Sequence, residues 1–107
     1  DTDNKKGWVG NSEIARDIDG SFLVIARDNQ GGKKGASNVI IKRIYRFSLD
    51  GVRPGETVKK QLVADLTKDY DWYEEKVEGL AVTNNGYWII SDNDGGTIST
   101  RALFIGR

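Results

Sequence analysis

The chain has 107 residues, the length of one small domain, and its 16 lysine and arginine residues balance 16 aspartate and glutamate residues. That balance leaves no basic excess to attract nucleic acid. No apolar run approaches the ~20 residues of a membrane-spanning helix, and the polar residues 1–6 are not a signal peptide. We therefore expect neither a nucleic-acid partner nor a membrane span. The absence of methionine suggests a mature or excised segment.

Cysteine and histidine are both absent from the sequence. Their absence excludes disulfide scaffolds, zinc sites of the Cys/His type, and nucleophiles activated by histidine. Any chemistry must use carboxylates, amides, hydroxyls, lysine, arginine or a metal held by oxygen ligands. Hard cations suit such ligands best, so Ca²⁺ is the expected cofactor.

The first half of the chain predicts a polar lead-in segment at 1–12, followed by a four-stranded sheet. Asp19 and Gly20 close the first hairpin, because this dipeptide is typical of tight turns. The apolar run 22–26 indicates a strand that is buried on both faces. We assign residues 13–66 to this sheet, with strands at 13–18, 21–27, 39–49 and 58–66.

The second half predicts a three-stranded sheet over 77–107. Residues 67–75 are compatible with one helical turn, but they are too short and too aromatic to predict a helix. A hairpin at 77–94 repeats the first one, and a last strand follows at 101–105. Four strands followed by three are typical of a β-propeller at its closure, where the other end of the chain provides the missing strand. The fold prediction is therefore all-β, with two antiparallel blades of about seven strands from a longer propeller.

Both predicted hairpins carry oxygen ligands toward one end. Glu78 opens one strand and Asp92 closes its partner, so antiparallel pairing places the two carboxylates at the same edge of the sheet. The first hairpin is a weaker copy of this pattern and would add a second set of oxygens at the same end. The predicted metal ligands are Glu13, Asp28, Asn29, Glu78, Asp92 and Asn93.

Two interpretations of these residues stay open. In the functional one, the inner strands of a propeller bring Glu78 and Asp92 to the mouth of a central channel, where they bind a cation or act as acid and base. In the structural one, Glu78 binds backbone amides while Asp92 and Asn93 cap a turn. The segment that starts at Asp92 is not an EF-hand, because its sixth and twelfth positions are Thr97 and Leu103 instead of glycine and glutamate.

Arg27 also allows two interpretations. Its planar guanidinium group fits a phosphate or carboxylate of a substrate. It is equally suited to pair with a carboxylate of the channel and hold it in place, which is the interpretation we prefer. We interpret the polar residues 17–20 and 84–86 as turn chemistry.

Four segments resemble, in the same order, the closing part of the phytase-like β-propeller domains, which are described as having esterase-like activity of phytase. These segments are RDNQGG (27–32), IKRIYRFS (41–48), EKVEGLAV (75–82) and SDNDG (91–95). The resemblance implies a secreted or periplasmic propeller of about six blades, of which this chain would be the last two.

The resemblance also implies a hydrolase that acts on phosphate esters. Combined with the oxygen ligands above, it suggests Glu78 and Asp92 as catalytic groups or metal ligands, and Arg27 as a contact to a small anionic ester. A hard cation in such a site would lower the pKa of a bound water. The alternative is a non-catalytic binding or scaffold propeller whose acidic channel holds a structural calcium ion.

Two blades alone leave apolar surfaces without a cover. The runs 22–26 and 87–90 are apolar on both faces, and a pair of sheets can cover only one face of each. We therefore expect the chain to pack against the remaining blades of a longer chain or against other copies of itself.

Overall fold

The structure is a computed structural model that describes residues 9–28, 41–72, 77–91 and 100–107. Its strands are β1 (Val9–Arg16), β2 (Phe22–Asp28), β3 (Lys42–Phe47), β4 (Gln61–Asp65), β5 (Val77–Val82), β6 (Gly86–Ser91) and β7 (Ala102–Gly106). They form a four-stranded antiparallel sheet in the order β1-β2-β3-β4 and a three-stranded antiparallel sheet in the order β5-β6-β7. The prediction of an all-β fold with a sheet of four strands followed by one of three is confirmed.

The first hairpin is longer than the sequence pattern indicated. β1 begins at Val9, inside the segment predicted as a lead-in, because Val9 pairs with Asp28 and Gly10 pairs with Arg27. The turn after β1 is tight, and Gly20 adopts a φ of 88°, a conformation that suits glycine. The central part of β2 is buried on both faces as predicted, at Leu23, Val24, Ile25 and Ala26.

The next two strands are shorter than predicted. β3 ends at Phe47, because the chain turns after it with a hydrogen bond from Val52 N to Leu49 O at 3.1 Å. Residues 39 and 40, predicted to begin this strand, lie outside the described residues.

A short helix, α1 (Leu66–Tyr70), follows β4, and the Asp65 side chain caps it by accepting from Lys68 N at 3.0 Å.

The second sheet depends on a glycine at the start of β6. Residues 83–85 connect β5 to β6, and Thr83 N donates to Gly86 O at 2.8 Å. A Cβ atom on Gly86 would lie 2.1 Å from Ile105 O on β7, so a larger residue cannot occupy this position without moving the strand. The strands of the predicted second hairpin and the predicted last strand are present, and β7 ends at Gly106.

The hydrophobic core includes buried residues of both sheets. Leu23, Ile25 and Ile44 of the first sheet belong to the same cluster as Tyr87 and Ile89 of the second. Other members of this core are Ala64, Leu66, Trp72, Val77 and Ile105. Its members alternate along β2 and along β6, as expected for side chains on one face of a sheet.

The opposite faces of the two sheets carry several large apolar side chains that are partly exposed. Trp88 and Ile90, which were predicted as part of a run apolar on both faces, each keep 47% of their surface exposed. On the other sheet, Ile14 and Leu62 are 56% and 57% exposed. Among the described residues, no helix is long and apolar enough to cross a membrane.

Candidate functional site

Four charged residues gather where β2 ends and where β3 and β5 begin. Arg27 lies opposite Lys42 in the antiparallel register of β2 and β3, and Asp28 follows Arg27 directly. Glu78 lies near the start of β5 in the other sheet. We call Arg27, Asp28, Lys42 and Glu78 the strand-end cluster. It contains two cationic and two anionic side chains, so its formal charge is balanced.

Asp28 and Lys42 form a fully buried ion pair. Their side chains are both 0% exposed, and the distance from Lys42 Nζ to Asp28 Oδ1 is 2.5 Å. The other carboxylate oxygen, Oδ2, accepts from the backbone N–H of Ile41 at 2.8 Å. Both oxygens of Asp28 are therefore occupied, as a buried charge requires. A metal ion bound to Asp28 would share these buried oxygens with the Lys42 ammonium group, whose positive charge opposes a cation there.

Arg27 connects the two sheets. Its Nη2 atom donates to Glu78 Oε1 at 3.0 Å, and its Nη1 atom donates to the backbone oxygen of Asp28 at 3.3 Å. The Arg27 side chain is 11% exposed, whereas the Glu78 side chain is 45% exposed. Glu78 is therefore the member of the cluster that a ligand can reach most easily.

The structure does not bring Glu13 to this cluster. The register of β1 and β2 places Glu13 opposite Ile25, whereas Asp28 lies opposite Val9. Glu13 borders a shallow groove with residues of the other sheet, including Gly79 and Trp88. The expected repeat, in which Glu13 and Asp28 would supply oxygens at one end, does not hold in this register.

The reason is the position of the bulges. The register of β5 and β6 shifts between Val77 and Gly79, which places Glu78 at a bulge, where an extra residue can redirect a side chain. In β1 the shift falls between Asn11 and Glu13, so Ser12 occupies the bulge instead. Ser12 Oγ donates to Val77 O at 2.8 Å and joins β1 to β5.

The predicted metal ligands are only partly covered by the structure. Asn29, Asp92 and Asn93 lie outside the described residues. Within 9–28, 41–72, 77–91 and 100–107, no group of three acidic residues lies close enough together to hold a metal ion. Of the described candidates, only Glu78 combines a position at the strand ends with an accessible carboxylate.

Sequence reasoning missed Lys42 as a member of this site. The sequence placed Lys42 in the predicted strand at 39–49 and gave it no role in the site. Its full burial follows from pairing opposite Arg27, next to the carboxylate of Asp28. The KR pair at the start of the third strand carried no signal that one of its two cations would be buried.

The fold and the strand-end cluster define an all-β protein with two antiparallel sheets and a charge-balanced polar site between them. The chain matches the phytase-like family, described as "Esterase-like activity of phytase", over residues 1–95. Because this match covers most of the chain, the protein belongs to the phytase-like family, and the resemblance of the four segments is confirmed. Comparison with curated proteins and with solved structures gave no match.

Proposed function

We propose that this chain is part of a phytase-like hydrolase that acts on phosphate esters. The observation that carries the proposal is the Arg27–Glu78 contact at the strand ends, which holds an accessible carboxylate beside a guanidinium group. Membership of the phytase-like family supports the reaction class. Glu78 and Asp92 would act as the acid and base or as metal ligands, as the sequence predicted.

In this proposal Arg27 orients Glu78. Its guanidinium group is mostly buried and already donates to Glu78 and to a backbone oxygen. An ester phosphate that enters beside Glu78 would meet the edge of this group, where charge-assisted hydrogen bonds to phosphate are strong. Arg27 would then contact the substrate while keeping the carboxylate in position.

A divalent cation fits only part of the predicted ligand set. Asp28 is committed to Lys42 and Ile41, and Glu13 lies along β1 away from the strand ends. The proposed ligands that remain are Asn29, Glu78, Asp92 and Asn93, whose oxygens suit Ca²⁺. When bound, such a cation would neutralise ester oxygens and lower the pKa of a bound water.

The propeller is also a proposal, and the outer faces of the two sheets support it. Trp88, Ile90 and Phe104 on one sheet and Ile14 and Leu62 on the other are large, apolar and at least 40% exposed. In a propeller of about six blades, further blades of the same chain or other copies would cover these faces. An extracellular or periplasmic location is proposed with it.

The test is hydrolysis of an aryl phosphate by the full-length protein, measured with and without a calcium chelator. We expect Glu78→Gln to abolish turnover and weaken calcium binding in calorimetry. Glu13→Gln is the matched control, because the register separates Glu13 from the strand ends, and it should retain both properties. Unchanged turnover and calcium affinity in Glu78→Gln would contradict the assignment of the site.

The second candidate is a binding or scaffold propeller with a structural calcium ion. The buried Asp28–Lys42 pair favours it, because such a pair serves structure when both partners are fully satisfied. The same experiment separates the candidates. A scaffold would bind calcium and lose stability on chelation, but it would show no turnover with any of the variants.

A further inference from the structure

A second polar cluster joins the two sheets at the opposite ends of their strands. Asp17 follows β1 and its carboxylate is 0% exposed. Its Oδ2 atom accepts from Arg46 Nη1 at 2.8 Å and from the Tyr87 hydroxyl at 2.9 Å, and its Oδ1 atom accepts from Arg107 Nη2 at 2.5 Å. We call Asp17, Arg46, Tyr87 and Arg107 the inter-sheet cluster.

The cluster draws one member from each of four places in the fold. Asp17 follows β1 and Arg46 lies on β3 of the four-stranded sheet, whereas Tyr87 lies on β6 and Arg107 follows β7 of the three-stranded sheet. Arg46 Nη2 donates to the Tyr87 hydroxyl at 2.7 Å, and Arg107 Nη1 donates to the same oxygen at 3.0 Å. Three of the four pairs across the sheets are therefore joined by a hydrogen bond, and the two arginines are linked through Asp17 and Tyr87.

Each arginine also binds the turn nearest to it. Arg107 donates to the backbone oxygens of Thr83 and Asn84, both at 3.0 Å. Arg46 donates to Ser21 Oγ at 3.0 Å. The cluster thus fixes the turn after β1 and the turn after β5 against the same carboxylate. These contacts satisfy the arginines with protein groups, which favours a structural role over the capture of a free anion.

The electrostatics of Asp17 agree with this role. The hydrogen bond from Arg107 is the largest cause that holds the pKa of Asp17 well below its ordinary value. Burial opposes this effect, and hydrogen bonds from Ile18 N, Tyr87 and Arg46 reinforce the lowering. The native contacts of Asp17 therefore favour the charged form of its carboxyl group.

We propose that Asp17 is a positioning residue that fixes the two sheets relative to each other, and thereby holds Arg27 against Glu78 at the other end. Tyr87 and Ser91 lie near opposite ends of β6, about 13 Å apart along the strand. Loss of the Asp17 carboxylate removes the acceptor that Arg46, Tyr87 and Arg107 share. Within this cluster only the Arg46–Tyr87 hydrogen bond then still joins the sheets, so their relative angle changes about the shared core and the contacts at the other end. This inference holds whether or not the strand-end cluster hydrolyses an ester.

The test is chemical rescue of Asp17→Ala. We expect the variant to show a lower urea midpoint and shifted amide NMR signals at Arg27 and Glu78. Formate, which replaces the deleted carboxylate, should raise the midpoint in a saturable way and return both signals toward their wild-type positions. Formamide, the neutral molecule of the same shape, should do neither. Asp19→Ala is the control, because Asp19 also faces Arg46 but interacts with it more weakly. Its side chain is 60% exposed, and its Oδ2 atom lies 3.4 Å from Arg46 Nη1, compared with 2.8 Å for Asp17.

A second variant tests the proposal if Asp17→Ala does not fold. Tyr87→Phe removes only the hydroxyl group that bridges Asp17, Arg46 and Arg107, so the core ring remains. It should shift the Arg27 and Glu78 signals in the same direction by a smaller amount. Wild-type signals at Arg27 and Glu78 in Tyr87→Phe would overturn the proposal. So would an Asp17→Ala protein that formate does not restore.

Discussion

Arg27 and Glu78 come from different sheets, 51 residues apart in the chain, and meet at 3.0 Å. This contact places a guanidinium group beside a carboxylate that solvent reaches, at the end of the molecule where the sequence predicted its functional oxygens. The strength of the contact is open to measurement without any assay of activity.

Glu78→Gln should lower the free energy of unfolding only slightly. Ion pairs with a partner this exposed contribute at most about 1 kcal/mol. Arg27→Gln should cost more, because Arg27 is mostly buried, and the two effects should be non-additive in a double-mutant cycle. Urea unfolding of the four proteins gives the coupling energy. Strict additivity would show that the contact contributes nothing to stability.

Lys42→Met should be severely destabilising. It leaves the carboxylate of Asp28 buried without its cation, and removal of one partner of a buried pair typically costs about 3–5 kcal/mol. Urea denaturation measures the change, with Lys59→Met as the control at an exposed lysine. Replacing both partners, as in Lys42→Met with Asp28→Leu, should recover part of the loss. A double variant less stable than Lys42→Met would count against this account.

Acid should weaken the protein through Asp17. A carboxyl group whose pKa is lowered by folding stabilises the native state above its ordinary pKa of 3.8, and that stabilisation is lost as the pH falls below it. Arg46, Arg107, Tyr87 and Asp19 are the ionisable groups that face it. The unfolding free energies of wild type and Asp17→Asn should differ at neutral pH and converge in acid. Parallel curves would contradict the prediction.

Ile89 and Ile90 are adjacent residues of the same type with opposite environments. Ile89 is 0% exposed and Ile90 is 47% exposed, so in this chain Ile89→Ala should cost about 2–5 kcal/mol and Ile90→Ala much less. If further sheets cover the outer face in the full-length protein, Ile90→Ala should become nearly as costly there. Thermal unfolding of both variants in both proteins makes the comparison. If Ile90→Ala lowers the stability of both proteins by the same small amount, the outer face is not covered in the full-length protein.

Gly86→Ala should disrupt the pairing of β6 with β7. The added Cβ would lie 2.1 Å from Ile105 O, a distance that forces the strands apart. Gly51→Ala is the matched control, since Gly51 also has positive φ, at 74°, but no atom lies within 4 Å of an added Cβ. The control should lose about 1 kcal/mol from backbone strain alone. Amide exchange along β7 should accelerate only in Gly86→Ala.

The strands of this protein could be predicted from the sequence, and so could the pairing of Arg27 with a carboxylate, but its other polar contacts could not. The apolar runs 22–26 and 87–90 and the turn residues Gly20 and Gly86 carry local signals of strand and hairpin. The partners of Asp17 lie up to 90 residues away, so its local pattern indicated only a turn. That turn exists, because Gly20 N donates to Asp17 O at 3.1 Å, yet the side chain has a second role across the sheets.

The observed position of Glu13 differs from the expected one for another reason. Strand pairing alternates strictly, and a bulge that moves by one residue changes which side chain reaches the end of a sheet. The sequence showed a glutamate before each hairpin, but it did not show that Ser12 would occupy the bulge in β1. Residue spacing alone therefore overestimated the similarity of the two hairpins.

The last strand has a consequence for association. In the part of the chain that the structure describes, β7 pairs with β6 along one edge and with no strand along the other. An open edge of this kind is a template for a strand from another chain. Arg101 precedes β7 and Arg107 follows it, so two copies of β7 side by side in antiparallel orientation would place arginine opposite arginine. That juxtaposition of like charges disfavours pairing of β7 with its own copy in this register.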